Sequence, residues 1–320
     1  MISIEGYNIE KTIVTRPESI TYTGIQLQTS RPVVLKYFSF DMIAPAEVTL
    51  IKRDYNNLKQ LRSQYVVDVL DFQEITDERG SGFILIYEDF QGIPLTDYLF
   101  QMKINIKEFL EIAIQLSTGV NDLHKAGIIH KNLKSSIIAL DPTKGLIKIK
   151  DFGLESIGFQ KKHNLYDPEI VIGSLPYISP EQTGRMSYNI DSRSDFYSLG
   201  VIYYELLTGE PPFLSEDSME IIHAHIARQP TSPSDKQAGI PLMISNIVMK
   251  LLVKSPEDRY QSAYGLRIDL ENCRDQFTAK KQIESFPLGQ KDIVTTWSII
   301  PVISDSGLSV LPVSLLKLDA

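Results

Sequence analysis

The sequence predicts an α+β fold in two segregated parts, a strand-rich part carrying one helix and then a larger helical part. Three observations lead there. The runs Val33-Val34-Leu35-Lys36-Tyr37 and Phe83-Ile84-Leu85-Ile86-Tyr87 are β-branched and aromatic, and read as strands. Between them, Val48, Ile51, Tyr55, Leu58 and Leu61 recur at steps of three and four, the spacing of an amphipathic helix. From about Phe109 onward helical spacing dominates.

Taken in order, the strand-rich part runs from Tyr7 to about Tyr87. Its helix runs from Ala46 to Leu61, with Pro45 where a first-turn proline is tolerated because its missing N–H would have no partner. A second helix, from Phe109 to His124, carries the stripe Leu110, Ile114, Val120 and Leu123. Leu146-Ile147-Lys148-Ile149-Lys150 reads as a further strand. Ser198 to Leu207 is almost wholly apolar and reads as a buried helix, ended by Gly209 and Pro211-Pro212. Two more helices are expected, from Ile240 to Leu252 and from Tyr264 to Phe277, and after about Ala279 the order is lost. These breaks divide the chain into a β-rich part at 1–88, a helical part at 89–277 and a tail or linker remnant at 278–320.

Hydrophobic residues make up 43% and charged residues 22% of the 320, a composition that supports a packed core. Forty acidic against 32 basic residues give a net charge of −8, and the pI is near 5.3. That balance argues against sequence-independent nucleic-acid binding, which needs a basic face. The lone Cys273 can form no internal disulfide, which suits a reducing compartment. Met1-Ile2-Ser3-Ile4-Glu5 shows no signal pattern. The best candidate for a membrane span, Ile299 to Leu316, is interrupted by Pro301, Asp305, Ser306 and Pro312. A cytoplasmic location without a membrane span is expected.

The chemistry is concentrated in Ile129-His130-Lys131-Asn132-Leu133-Lys134-Ser135-Ser136-Ile137 and, further on, Asp151-Phe152-Gly153. Together they resemble the catalytic loop H-R-D-L-x-x-x-N and the metal-binding turn D-F-G of the eukaryotic-type serine/threonine protein kinase family. The resemblance extends over about residues 7–277. It implies a two-lobed protein-kinase-like fold, with a small β-rich N-lobe and a larger helical C-lobe, binding ATP with Mg2+ between them.

Residue by residue, the resemblance carries over unevenly. Lys36 closes a strand similar to V-A-I-K, whose lysine pairs the α- and β-phosphates. Its helix partner falls on Asp54, one methylene shorter than the family's glutamate; a solvated Asp54 is the alternative. The three loop glycines fall on Val14, Arg16 and Ser19, and Pro17 removes an amide donor, so this loop cannot cradle phosphate with bare backbone. Arg16 reads as an exposed arginine beside a turn, the alternative being a charge offered to phosphate. Asn132 replaces the aspartate that accepts the substrate hydroxyl proton, and loss of such a base costs about 10²–10⁴ in rate. Ile137 replaces the asparagine that holds the second magnesium ion and cannot coordinate it. Lys134 matches a lysine that contacts the γ-phosphate, either as a retained contact or as a structural leftover. Ser135 and Ser136 read as exposed loop serines, and His130 as a packing residue. Asp151 is the surviving metal carboxylate, expected to face the nucleotide cleft.

The adenine positions fall on Thr21 and Val34 above and Ala139 below. Tyr87 takes the gatekeeper position ahead of Glu88-Asp89-Phe90, with a plain core tyrosine as the equal alternative. Gly173-Ser174-Leu175-Pro176-Tyr177-Ile178-Ser179-Pro180-Glu181 resembles the end of an activation segment. Asp195 matches the residue that anchors the catalytic loop, and Arg259 the buried partner of Glu181. His130, Phe152 and Leu58 match an internal hydrophobic stack. A narrower likeness, in Gly173 to Arg185, Ser194 to Gly200 and Phe286 to Ile293, is to the N-terminal kinase-like module of large bacterial hybrid proteins, where ATPase-like, GAF and sensor histidine kinase regions follow. Three readings result: a pseudokinase or strongly impaired kinase that senses nucleotide or binds a signalling partner such as a sensor kinase or ATPase module; a slow but active serine/threonine kinase; and a scaffold or truncated remnant that binds no nucleotide.

Overall fold

The computed structural model describes residues 4–15, 19–43, 45–77, 80–151 and 173–292. Arg16, Pro17, Phe152, Gly153 and the sequence from Ile293 onward, all singled out above, lie outside them.

Five antiparallel strands build the first part: β1 (Tyr7–Thr15), β2 (Ser19–Gln26), β3 (Arg31–Ser39), β4 (Val69–Asp77) and β5 (Gly80–Glu88), in the order β1-β2-β3-β5-β4. Side-chain alternation explains how β3 serves two faces at once. Val33, Leu35 and Tyr37 join Tyr22, Ile84 and Ile86 in one apolar cluster. Phe38 joins Phe83, Leu85 and Tyr87 in the main core on the other face. Lys36 therefore projects from the same side as Phe38, opposite Thr21 on β2 and Leu85 on β5. β1 and β2 stay paired as far as Thr15 and Ile20, so the aligned glycine positions Val14 and Ser19 fall within the two strands themselves.

Helix α1 (Pro45–Gln60) crosses between β3 and β4 and buries Ile51 and Leu58 in the main core. The chain after it is pinned to the second part: Val67 N–H donates to Ile149 O at 3.0 Å and Ile149 N–H to Tyr65 O at 2.9 Å. Gly119 makes room for this crossing, since a Cβ there would meet Ile149 Cδ1 at 2.9 Å and Tyr65 Cβ at 3.1 Å.

The second part begins with β6 (Ile93–Pro94) and α2 (Leu95–Gln101), then α3 (Ile106–Lys125). A small sheet, β6-β7-β8, is completed by β7 (Ile138–Asp141) and β8 (Leu146–Ile149). Helices α4 (Ser192–Thr208), α5 (Ser218–Ala227), α6 (Pro233–Lys236), α7 (Leu242–Leu251) and α8 (Ala263–Lys280) follow. The fully buried α3 and α4 residues Phe109, Leu116, Phe196, Tyr203 and Leu199 form the centre of the core. α4 starts well before Ser198 because Asp191 caps it, accepting the Arg193 N–H at 2.8 Å. α8 runs past residue 277 to Lys280, and Ile283, Phe286 and Leu288 beyond it pack against the core. The architecture is the expected α+β arrangement, a β-sheet lobe and a helical lobe. Among the described residues no helix is long and apolar enough to cross a membrane.

Candidate active site

The site is organised by one buried carboxylate. Asp195, in the first turn of α4, is 1% exposed. Its Oδ1 accepts Lys131 N–H at 2.7 Å, and its Oδ2 accepts His130 N–H at 2.9 Å and meets His124 Nε2 at 2.8 Å. Burial opposes the charge, but the His124 hydrogen bond and charge outweigh it and hold the carboxyl below its usual range. This grip explains the backbone of Lys131, which is left-handed at φ 63°. That conformation costs an L-residue roughly 1–2 kcal/mol.

His130 is fully buried, and burial pulls its pKa down, so it stays neutral. The geometry assigns the tautomer: Nε2–H donates to Lys150 O at 3.1 Å, leaving Nδ1 to accept Asn132 N–H at 3.4 Å. His130 thus spans the catalytic loop and the residue preceding Asp151, as a packing residue should.

Ile137 closes the loop and is 4% exposed, with its side chain in the main apolar core. Its carbonyl accepts Lys150 N–H at 3.0 Å. Of the two serines read as exposed, Ser136 is; Ser135 is not. Ser135 is fully buried and donates in a close contact to Glu205 Oε2, the atom that also accepts Tyr177 O–H at 2.8 Å. The physical reason is Glu205 itself, whose carboxyl is pushed up by burial and requires donors.

Lys36 Nζ lies 3.6 Å from Asp151 Oδ1 and 5.6 Å from the Phe38 ring centroid. The lysine side chain is 6% exposed, whereas that of Asp151 is 41% exposed. Asp151 is also left-handed, at φ 54°. Strain of this kind persists where the surroundings over-determine it, here the β8 crossing on one side and Lys36 on the other. Asp54 stands on α1 between the buried Ile51 and Leu58, and its Oδ1 accepts Arg53 Nε–H and Nη2–H at 3.1 and 2.9 Å. The structure therefore brings Lys36 to Asp151, and Asp54 to Arg53. Lys134 Nζ donates to Ser174 Oγ at 3.0 Å, joining the catalytic loop to the activation segment, and Gln182 Nε2 adds a second tie to Lys131 O at 2.7 Å.

Ala139 is fully buried, and Tyr87 is 6% exposed and packs in the main core, opposite Val34 in the sheet. Next to it, Glu88 holds the two lobes together. Its carboxylate meets Lys148 of β8 in a close contact, accepts Asp68 N–H at 3.0 Å and lies 3.5 Å from Arg31 Nη2. The activation segment is fixed at its far end by Arg259, whose Nη1 and Nη2 reach the two Glu181 oxygens at 2.7 and 2.9 Å, both side chains being buried. Ser194 O–H adds a bond to Glu181 Oε1 at 2.7 Å. Burial opposes the Glu181 charge, and Arg259 overcomes it to hold the carboxyl below its usual range. The expected Glu181–Arg259 pair and Asp195 anchor are thus present. His124, Ser135, Glu205 and Lys148 carried no local sequence signal for their roles.

Magnesium demands oxygen ligands in near-octahedral geometry. Asp151 offers a half-exposed carboxylate, the kind of oxygen donor that such an ion would take. At position 137, which aligns with the family's second metal ligand, the side chain is apolar and turned into the core. Among the described residues no group of three or more His, Cys, Asp or Glu side chains converges to hold a metal.

Fold and site together define a protein-kinase-fold domain. The protein-family description "Protein kinase domain" matches residues 11–267. Serine/threonine-protein kinase PknB of Mycobacterium tuberculosis is 31% identical over 246 residues, covering 76% of this chain and 39% of that protein. A probable serine/threonine-protein kinase of Streptomyces coelicolor is 30% identical over 256 residues, 79% of this chain and 38% of its own length. Hybrid signal transduction histidine kinase G of Dictyostelium discoideum is 32% identical over 278 aligned residues, covering 60% of this chain and 8% of that protein. The chain belongs to the protein kinase family, and spans about two fifths of the length of the first-named relative.

Proposed function

We propose that this chain is a kinase-fold regulatory module of bacterial signalling, a pseudokinase or strongly impaired serine/threonine kinase. One observation carries the reading: Asn132 occupies the base position, and five residues further along the chain the Ile137 side chain is turned into the core. A carboxamide takes no proton at neutral pH, and a buried aliphatic chain binds no cation. Lys36 pairs the α- and β-phosphates of a bound nucleotide, Asp54 supports it from α1 only on leaving Arg53, Asp151 holds a single Mg2+, and Lys134 contacts the γ-phosphate side. The ion, when bound, would neutralise charge on the phosphates. The partner is a signalling protein such as a sensor kinase or an ATPase module, a reading supported by the likeness to a hybrid histidine kinase.

A second reading, a kinase of low turnover, is favoured by the Lys36–Asp151 approach at 3.6 Å and the Lys134–Ser174 bond. Phosphoryl transfer passes through a loose transition state, so positioning supplies much of the rate. The two readings separate in a phosphotransfer assay on wild type, Asn132→Asp and Asp151→Ala. Transfer at least 10² below a typical ~1–100 s⁻¹ kinase is expected. Robust wild-type transfer abolished by Asp151→Ala overturns the first reading. A thermal-shift titration with ATP, with and without Mg2+, tests nucleotide binding itself; no shift under either condition leaves the scaffold reading.

A further inference from the structure

The chain does not leave the C-lobe when α8 ends. Glu284 N–H donates to Gln276 Oε1 at 2.8 Å, and Gly289 N–H donates to Asp269 Oδ2 at 2.8 Å, the oxygen that also accepts Tyr260 O–H at 2.6 Å. Between these bonds Phe286 and Leu288 pack against the core. Asp292 then closes the loop onto the start of α8. Its Oδ2 accepts Gln261 N–H at 2.6 Å, and its Oδ1 accepts Ser262 N–H at 2.8 Å and Ser262 O–H at 2.7 Å. Ser262 Oγ in turn caps the helix by accepting Gly265 N–H at 3.0 Å. Position 265 has no room for a side chain, because a Cβ would stand 2.6 Å from Asp292 Oδ1 and 2.7 Å from its Cα and Cβ.

Gln261 is where this arrangement meets the activation segment. While Asp292 holds its main-chain N–H, its Nε2 donates to the carbonyls of Pro256, Glu257 and Arg259 at 3.1, 3.0 and 2.9 Å. Its Oε1 accepts Arg193 Nη1–H at 3.2 Å. Gln261 therefore shapes the turn that presents Arg259, and Arg259 clasps Glu181 in a buried, two-pronged pair. The path Asp292–Gln261–Arg259–Glu181 consists entirely of short hydrogen bonds and one turn of backbone.

We propose that residues 281–292 form a strap that couples to the C-terminal end of the activation segment through Gln261 and Arg259, so that order in the strap and order at Glu181 rise and fall together. A partner or a following region that pulls the strap away would loosen the activation segment, and a ligand that orders the segment would tighten the strap. The coupling is reciprocal by thermodynamic necessity. It holds whether or not the cleft transfers phosphate, so its failure and that of the proposed function are separate results.

Spatial intermediacy alone does not establish coupling; hydrogen exchange on the full chain measures it. The informative amides are Gln182 and Gly184, bonded to Ser179 O at 3.1 Å and Glu181 O at 3.4 Å, and, on the strap, Gly289 and Asp292. Asp292→Ala is expected to lower protection at Gln182 and Gly184 tenfold or more relative to α3 amides, with a smaller loss for Asp292→Asn, which keeps one acceptor oxygen. In the reverse direction, Ser194→Ala, which removes a hydroxyl from Glu181, is expected to lower protection at Gly289 and Asp292. The proposal is overturned if the Asp292 variants open the strap while Gln182 and Gly184 exchange at wild-type rates, or if protection falls uniformly, α3 included. Should Asp292→Ala fail to fold, the Ser194→Ala result decides: unchanged strap amides sink the coupling.

Discussion

At the scale of single residues, position 137 decides what the cleft can hold. Ile137 has been absorbed by the core, and restoring the family's asparagine would bury an amide among aliphatic side chains. Ile137→Asn is therefore expected to destabilise the fold by about 1–3 kcal/mol, the usual cost of a buried polar group without good partners. Ile137→Val is expected to cost about 0.5–1.5 kcal/mol. Urea unfolding of the two variants checks both, and an Asn variant as stable as wild type would show a polar pocket waiting at that site. Asn132, Ile137 and Asp151 could be placed from the sequence because motif spacing fixes them along one continuous stretch. Ser135 could not: its burial depends on Glu205 and Tyr177, which approach it only in the folded chain.

At the scale of elements, the N-terminus of α4 determines the shape of the catalytic loop. Asp195 is the shared acceptor for two loop amides and His124, and it holds Lys131 in its left-handed conformation. Hydrogen bonds to a charged group contribute about 1.5–3 kcal/mol each. Asp195→Ala is thus expected to cost on the order of 3–5 kcal/mol, with exchange at the His130 and Lys131 amides rising first. Glu181→Gln should cost about 3–5 kcal/mol by leaving the buried Arg259 charge uncompensated. A midpoint change under 1 kcal/mol in denaturant titration would refute either expectation. The long elements were legible because α1 and α3 carry enough residues for a helical period to emerge, β3 and β5 are β-branched and aromatic runs, and α4 is an apolar run ended by Gly209 and Pro211-Pro212. The two-residue β6 and the short α2 gave no such period. α5 also escaped notice, because its apolar residues continue on both sides of the pattern.

At the scale of the whole molecule, the division into two parts was legible because strands precede helices, and the two-lobed arrangement followed from the family resemblance. The pins between lobes were not, since Glu88–Lys148 and Val67–Ile149 join residues far apart in sequence. The buried histidines belong to this scale because they govern how the fold responds to acid. His225 of α5 is fully buried, with its Nδ1 2.9 Å from Tyr197 O–H and its ring edge-on to Phe213. Burial and the neighbouring Lys254 charge push its pKa down from 6.5 to about 3, against the pull of the Leu175 and Pro176 carbonyls. In the unfolded chain the same imidazole takes a proton near pH 6.5. Between those limits the unfolded state binds the extra proton, so stability falls as pH is lowered below about 6.5 and is unaffected by this group above it. His130 contributes in the same direction. Glu205, whose pKa is raised, contributes in the opposite one, and Glu181 and Asp195 weaken the fold only once pH falls below the carboxylate range. A difference measurement removes these common contributions. The stability gap between wild type and His225→Gln is expected to be constant above about pH 7 and to shrink below pH 6.5, approaching about 1.4 kcal/mol per pH unit. Urea unfolding of both proteins at pH 7.5, 6.0 and 5.0 reads it directly. A gap that stays constant across that range would mean that His225 keeps its ordinary pKa and that the floor beneath Leu175 and Pro176 is open to water.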